Sequence, residues 1–479
     1  MPKCGFISLG CPKNLVDSEV MMGILARNGY EFTPRAEEAE VLVVNTCSFI
    51  EPAQRESVEA ILEMAEYKKF GVARKLIVAG CLVERYRDEI RRQIPEVDAV
   101  IGTGEVERVL EAVRGEKFAS DAGAGGAPDY LYHDLTPRML TTPRHAAYLK
   151  IAEGCDHPCG FCIIPQLRGK FRSRRLESIA REAERMAGAG VREVTLIGQD
   201  TTSYGEDLGL KDGLPLLLDR LSEIEALQWV RVLYVYPNRI TQRLLDTIAA
   251  RPRLAKYLDM PLQHSSRSVL KRMKRGSSGD AFLKLLERIR RTIDGVALRT
   301  SFVVGYPGET EADFRNLCDF VRAARFDWMG VFAYSDVETA ASHALGDKVD
   351  PEVIADRRER LMEIQKTISA RNLRKFVGRR MTALVEGPSK NNDLVWDARL
   401  ETMAPEIDGT LLLTDIETRT GAARTGDVVI AEIEAAHDYD LAGRVVEIAR
   451  ERIDVRDDTL PAAAPAMRIG TGAALRVLA

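Results

Sequence analysis

The chain has little that would place it outside a reducing, aqueous compartment. Its 479 residues contain no apolar run approaching the roughly 18 needed to cross a bilayer. The opening stretch, MPKCGFISLGCPKN, has no long apolar segment ending in small residues, so no secretory signal is expected and the cytoplasm is the expected location. Aromatic residues are scarce at 6%, and the formal net charge is -4, so no global basic field advertises a nucleic-acid partner. Histidine is also scarce, at six residues, which leaves little material for imidazole-rich metal sites. Against these absences stand eight cysteines. In a reducing compartment they argue for metal binding or catalysis rather than disulfides.

Length and composition predict an α/β multidomain protein of two to four units. Residues 1–115 alternate apolar β-type runs with helical patterns, which suits a parallel α/β domain. Residues 116–140 include ASDAGAGGAPDY, too rich in Gly and Ala to build a core, and read as a linker. Residues 141–375 carry six strand candidates: AYLKIAEG, EVTLIGQD, VRVLYVYP, YLDMPLQH, LRTSFVVG and MGVFAYS. A helical pattern follows each, near 176–189, 214–226, 241–250, 280–293, 310–324 and 355–372. Six β/α units with buried parallel strands fit a doubly wound sheet or a partial TIM-type barrel, and in both the chemistry sits at the carboxyl ends of the strands. Residues 376–446 hold short β-type runs separated by turn residues and predict a small antiparallel β-barrel. The tail, 447–479, is Ala/Pro/Gly-rich and is expected to be poorly ordered.

The cysteines fall into two sets. GCDHPCGFCIIP places Cys155, Cys159 and Cys162 within eight residues, just after the first strand of the middle region. In the first region GFISLGC, VLVVNTC and KLIVAGC are apolar runs that stop at Cys11, Cys47 and Cys81. Carboxyl ends of parallel strands share one edge, so these three thiols converge although far apart in sequence. Cys4, at the start of its run, and Cys318, inside a helical pattern, read as buried packing. Zinc would need one further ligand at each trio. His157 lies between two cysteines, but that reach is strained, and the first region lacks paired C-x2-4-C knuckles. A 4Fe–4S cube satisfies three thiolates and leaves one iron open to a ligand that is not protein. A zinc-held, non-enzymatic scaffold is the rival reading.

C-x3-C-x2-C at the end of the first strand of a β/α barrel resembles the radical S-adenosylmethionine superfamily. With a three-cysteine domain before it and a small barrel (a TRAM module) after it, the chain resembles the methylthiotransferases of that superfamily over about residues 1–446. One branch modifies a tRNA adenosine; the other modifies an aspartate of small-subunit ribosomal protein twelve. SLGCPKNLVDSE, EGCDHPCGFCIIPQLRGKFRSR, LIGQDTTSYG, MPLQHSS and VVGYPGETEADF are similar to the protein-modifying branch. Pro12-Lys13 is the local difference, since the tRNA branch usually carries Gln-Met or similar there.

The resemblance implies a partial (β/α)6 barrel and two [4Fe-4S] clusters. One would sit on Cys155, Cys159 and Cys162, with S-adenosylmethionine on its open iron; an auxiliary one would sit on Cys11, Cys47 and Cys81. It implies a reaction that replaces a C–H bond of the aspartate β-carbon with a methylthio group, an electron-donating protein as partner, and no membrane. Both clusters must then face one cavity, with the N-terminal domain over the barrel mouth. Gln199, Asp200, Gln263 and Gly305 follow strands of the barrel and are candidate cofactor-binding residues, with His264 beside them. KRMKRG, 271–276, reads as a solvated helix face; RGKFRSRR, 168–175, lies near the cluster and could meet a carboxylate or phosphate, with a solvated loop as the default. Residues 376–449 carry seven Lys/Arg against fourteen Asp/Glu, a net -7. An acidic module suits a basic protein better than tRNA, so direct nucleic-acid binding is not expected to dominate.

Overall fold

The structure, a computed structural model, describes residues 1–116, 128–390, 392 and 394–452, with the backbone of Arg468–Ile469. Most of the Gly/Ala-rich linker and of the tail thus lies outside the described residues.

The N-terminal unit is a parallel sheet of β1 (Lys3–Ser8), β2 (Glu31–Phe32), β3 (Val41–Thr46), β4 (Lys75–Gly80) and β5 (Ala99–Ile101). Their spatial order is β2-β1-β3-β4-β5, and Arg468–Ile469 adds beside the end of β1. Successive strand residues point to opposite faces, and both faces are buried. Phe6, Val43 and Ile77 meet α1 (Pro12–Arg27) through Leu15, Val16 and Val20. Ile7, Val44 and Val78 meet α2 (Glu51–Phe70) and α3 (Cys81–Gln93) through Ile61, Met64 and Leu82. Cys4 is fully buried in the first of these cores.

The middle unit has six parallel strands: β6 (Ala146–Lys150), β7 (Glu193–Ile197), β8 (Trp229–Val232), β9 (Tyr257–Asp259), β10 (Ala297–Val304) and β11 (Trp328–Ala333). Ladders join β6-β7-β8 and β9-β10-β11. The seam between them is carried by Val235 N–H to Asp259 O, 2.8 Å, and Ala255 N–H to Val230 O, 3.0 Å. Among the described residues no ladder closes β6 onto β11, so the barrel is open. The six helices that follow the strands are Leu176–Gly188, Gly213–Ser222, Gln242–Ala250, Gly279–Thr292, Glu311–Ala324 and Pro351–Leu373. They cover the strands through one continuous apolar core, in which Cys318 is buried. Thr310 caps the fifth of these helices in a reciprocal capping box with Asp313.

The C-terminal unit is a closed barrel of β12 (Arg380–Pro388), β13 (Trp396–Leu400), β14 (Leu411–Asp415), β15 (Val428–Ala436) and β16 (Leu441–Arg450), in the order β12-β13-β14-β16-β15. One pairing departs from the antiparallel expectation. β14 and β16 run parallel, because the intervening strand β15 crosses over to pair with β12. This unit stoppers the N-terminal ends of the middle strands. Glu193 pairs with Arg231 at 2.7 Å and with Arg399 at 2.8 Å, all three buried. Tyr257 donates to Asp408 at 2.6 Å, and Trp328 Nε1–H donates to Thr402 O at 2.7 Å.

That docking changes the meaning of the acidic count. Asp408 is turned inward toward Arg299, 3.4 Å away, and burial pushes its carboxyl up to about 6. Asp427 is fully buried and accepts N–H bonds from Arg424 and Arg452. Asp415, Glu417, Glu434, Asp438 and Glu447 remain exposed, but so do Arg379, Arg380, Lys390, Arg419, Arg424 and Arg444, so the outer face is much less acidic than composition suggests.

Candidate functional site

β1, β3 and β4 are neighbours, with Ser8 opposite Asn45 and Thr46 opposite Gly80. Each chain leaves its strand at this edge and turns into a helix within a few residues. Cys47 follows β3 directly, Cys81 opens α3, and Cys11 is the N-cap of α1 with Pro12 as its first helical residue. Gly10, at φ +87°, passes so close to Cys47 that an added Cβ would lie 2.7 Å from the Cys47 Cβ. Gly80, at φ +95°, would meet Asn45 Oδ1 in the same way. Buried amides and hydroxyls tie the corners together. Asn14 Nδ2 donates to Leu9 O (2.7 Å) and Thr46 O (3.2 Å), and Asn45 Nδ2 donates to Asn14 O and Ser18 Oγ, both 2.8 Å. Ser57 Oγ accepts from Cys47 N–H (2.9 Å) and donates to Cys47 O (3.0 Å).

The second trio sits on the loop beyond β6. Cys155 N–H donates to Gly169 O (3.2 Å), Gly160 N–H to Met273 O (3.0 Å) and Cys162 N–H to Cys159 O (3.1 Å). The loop is therefore pinned at two points to the rim of the barrel and closed by one internal turn. Both trios line one cavity of about 340 Å³, together with Lys13, Arg168, Gln199, Tyr234, Gln263 and Arg275.

Electrostatics define the donor set. Burial pushes the Cys47 thiol up to about 12, with the neighbouring Cys81 and Cys11 sulfurs adding to it. Burial likewise lifts Cys81 and Cys155 to about 11 and Cys162 to about 12. At Cys11 burial acts upward too, but Lys13 and Arg168 bring the thiol below its ordinary range. Such buried thiols become thiolates when a metal centre supplies the compensating charge. Among the described residues no three His, Cys, Asp or Glu side chains converge on a single-ion site. Two trios of spaced thiols suit polynuclear clusters, which hold each thiolate on a different iron. His157 is directed elsewhere: its Nε2 lies 2.6 Å from Asp200 Oδ2 and its ring stacks on Tyr236 at 3.9 Å.

The remaining candidates separate. Gln199 and Gln263 line the cavity. Gln199 Nε2 donates to Glu153 (2.6 Å), while its Oε1 is buried without a partner. Asp200 stands behind the wall, its carboxylate taken by His157, Thr202 and Ser203. Gly305 faces Ile354, and its N–H donates to Glu309. His264 is fully buried, accepts from Ser266 N–H at 2.9 Å, and is held neutral, with burial pushing its imidazole down to about 3.

Two basic stretches contribute buried side chains, RGKFRSRR by meeting carboxylates and KRMKRG against its reading as a solvated face. Arg168 is 2% exposed and bridges the two units, reaching Asp17 (2.9 Å), Glu153 (3.0 Å), Asn14 (3.2 Å) and the Cys81 sulfur (3.6 Å). Lys150 completes this network on Asp17 (2.5 Å) and Glu153 (2.6 Å). Arg174 pairs with Glu182 at 2.7 Å. Arg275 donates to the Cys159 sulfur (3.5 Å) and to Pro261 O (2.8 Å). No local pattern singles these arginines out of their charged runs. The one signal was proximity in sequence to Cys162 for Arg168.

Comparison with known proteins accords with this architecture. Residues 3–102 match the model of the uncharacterized protein family UPF0004, residues 149–321 that of the radical SAM superfamily, and residues 377–446 that of the TRAM domain. The ribosomal protein uS12 methylthiotransferase RimO of Solibacter usitatus is 61% identical over 446 residues, 93% of this chain and 95% of its own length. The RimO of Koribacter versatilis is 55% identical, covering 93% of this chain and 96% of its own. The chain belongs to the RimO family. As a RimO-family chain it is a radical S-adenosylmethionine enzyme of the methylthiotransferase type. Among solved structures, the radical S-adenosylmethionine methyltransferase TsrM of Kitasatospora setae is similar in fold, with a TM-score of 0.50 at 15% identity over 70% of this chain and 75% of that one.

Proposed function

We propose that this RimO-family chain methylthiolates the β-carbon of an aspartate in ribosomal protein uS12. The observation that carries the reading is the single cavity walled by both cysteine trios. In this reading Cys155, Cys159 and Cys162 hold one [4Fe-4S] cluster, and Cys11, Cys47 and Cys81 hold the other. When bound, the clusters and S-adenosylmethionine supply the radical and sulfur-transfer chemistry that an unactivated C–H bond requires.

The chain's own residues hold and enclose. The Asn14–Asn45–Ser18 network fixes the first trio, and the backbone anchors of Cys155, Gly160 and Cys162 fix the second. The Arg168 network ties one unit to the other, so the separation of the trios is set by packed, paired groups. Apolar residues Phe49, Ile50, Phe161, Phe332 and Val337 line the same cavity, and a bound substrate would complete its closure to water. Gln199 offers a free acceptor oxygen and Gln263 a polar side chain to cofactor or substrate, while Asp200 acts through His157 and Gly305 through the Glu309 turn. Reducing electrons come from a partner protein. The net acidic composition of residues 376–449 supports a basic protein over tRNA.

The test is mass spectrometry of uS12 from cells with and without this gene. A methylthio mass gain on uS12 that disappears with the gene and returns with its restoration supports the reading. An unchanged uS12, with a methylthio-adenosine lost from tRNA, overturns the substrate.

A further inference from the structure

Three cationic side chains line the cavity between the trios: Lys13, Arg168 and Arg275. Two make hydrogen bonds to protein atoms, and Arg275 also lies over the Tyr236 ring at 4.5 Å. Arg168 faces the carboxylates of Asp17 and Glu153, and Arg275 donates to Pro261 O and the Cys159 sulfur. Lys13 differs. It is 7% exposed, and its ammonium sits 3.4 Å from the centroid of the Tyr234 ring. Among the described residues no carboxylate forms an ion pair with it. Its three N–H donors therefore meet an aromatic side chain and the cavity.

An ammonium removed from water with no carboxylate beside it is compensated only in part by the Cys11 sulfur and a ring face. The position is also central. Lys13 lies in the first turn of α1, two residues after Cys11, while Tyr234 follows β8 at the mouth of the barrel. The side chain thus reaches from the N-terminal unit to the barrel rim, in the cavity that both trios line.

We infer that Lys13 is a substrate-binding residue that takes the carboxylate of the target aspartate. This rests on the reading of uS12 as substrate. The carboxylate is bonded to the β-carbon that would react, so a cation holding it would place that carbon in the gap between the two trios. A charge-assisted pair inside the cavity would also reject asparagine, which has the same shape but no charge.

The test measures binding rather than turnover. The reconstituted, anaerobic holoenzyme is titrated with uS12 and with uS12 whose target aspartate is replaced by asparagine, in the absence of reductant. Wild-type enzyme is expected to bind the aspartate form at least about tenfold more tightly. Lys13→Met should abolish this preference, and Lys13→Arg should keep part of it. Iron content and the electron-paramagnetic-resonance signal of each cluster are recorded for every variant. Equal binding of the two forms by wild-type enzyme overturns the inference without any variant. So does a Lys13→Met enzyme that keeps the preference. Loss of the auxiliary cluster's signal with the preference intact would make Lys13 that cluster's counter-ion instead. No binding of either form would overturn the uS12 reading itself.

Discussion

At the scale of single residues, Arg168 shows how burial and pairing set function. Its guanidinium satisfies Asp17 and Glu153 at once and touches the Cys81 sulfur. Removing it leaves two buried carboxylates with only Lys150 between them, so Arg168→Gln is expected to cost about 3 kcal/mol. Denaturant unfolding measures this, and a loss under about 1 kcal/mol would contradict the network's role. Glu309 gives a pH signature. Burial first, against the pull of Arg357, raises its carboxyl from 4.5 to about 7. The folded state then holds its proton where the unfolded state has released it, so ionising Glu309 erodes stability as pH rises from about 4.5 to about 7. His264 slopes the other way, because its folded value is depressed from 6.5 to about 3. Its contribution is present above 6.5 and lost as pH falls toward 3. Glu309→Gln removes only the first slope. The variant's stability relative to wild type should therefore climb between pH 5 and pH 7, and a flat difference would rule this out.

Single residues were the least legible part of the sequence. Cys11, Cys47 and Cys81 could be grouped because each ends an apolar run, a pattern visible in one dimension. Arg275 and Lys13 could not, and Arg168 only as one of a basic run near the cluster, because their importance comes from partners far away along the chain. Arg168 reaches Asp17 across 151 positions. A charged run looks solvated until the fold turns alternate members inward.

At the scale of elements, the strand-to-helix corners were readable and their tolerances were not. The strands and helices of the barrel appear where apolar runs and helical periodicity placed them, since both signals are local. The parallel β14/β16 pairing was hidden, because strand direction in a small barrel depends on which strand crosses over. The corners depend on close approach. Gly10→Ala adds a methyl that overlaps the Cys47 Cβ at a positive φ, so it should spoil the first trio and spare the second. Iron analysis after anaerobic reconstitution should show about half the wild-type content. A full complement of iron would mean that the corner yields.

At the scale of the whole molecule, three units are arranged along one axis. The N-terminal unit covers the carboxyl ends of the barrel strands, and the C-terminal barrel closes their amino ends through Glu193, Arg231, Arg399 and Asp408. The acidic excess of that barrel is partly spent on this docking, which composition alone could not reveal. The arrangement leaves one shared cavity for two cysteine trios from different units, and the proposed activity depends on both.

The most direct measurement is therefore made on purified components. Reconstituted enzyme, S-adenosylmethionine and a reductant are incubated with uS12, and the modified residue is located by mass spectrometry. The account predicts a methylthio gain on one aspartate with wild-type enzyme and none with either trio replaced by alanine. Transfer that persists without Cys11, Cys47 and Cys81 would contradict the claim that the two trios act on one substrate in one cavity.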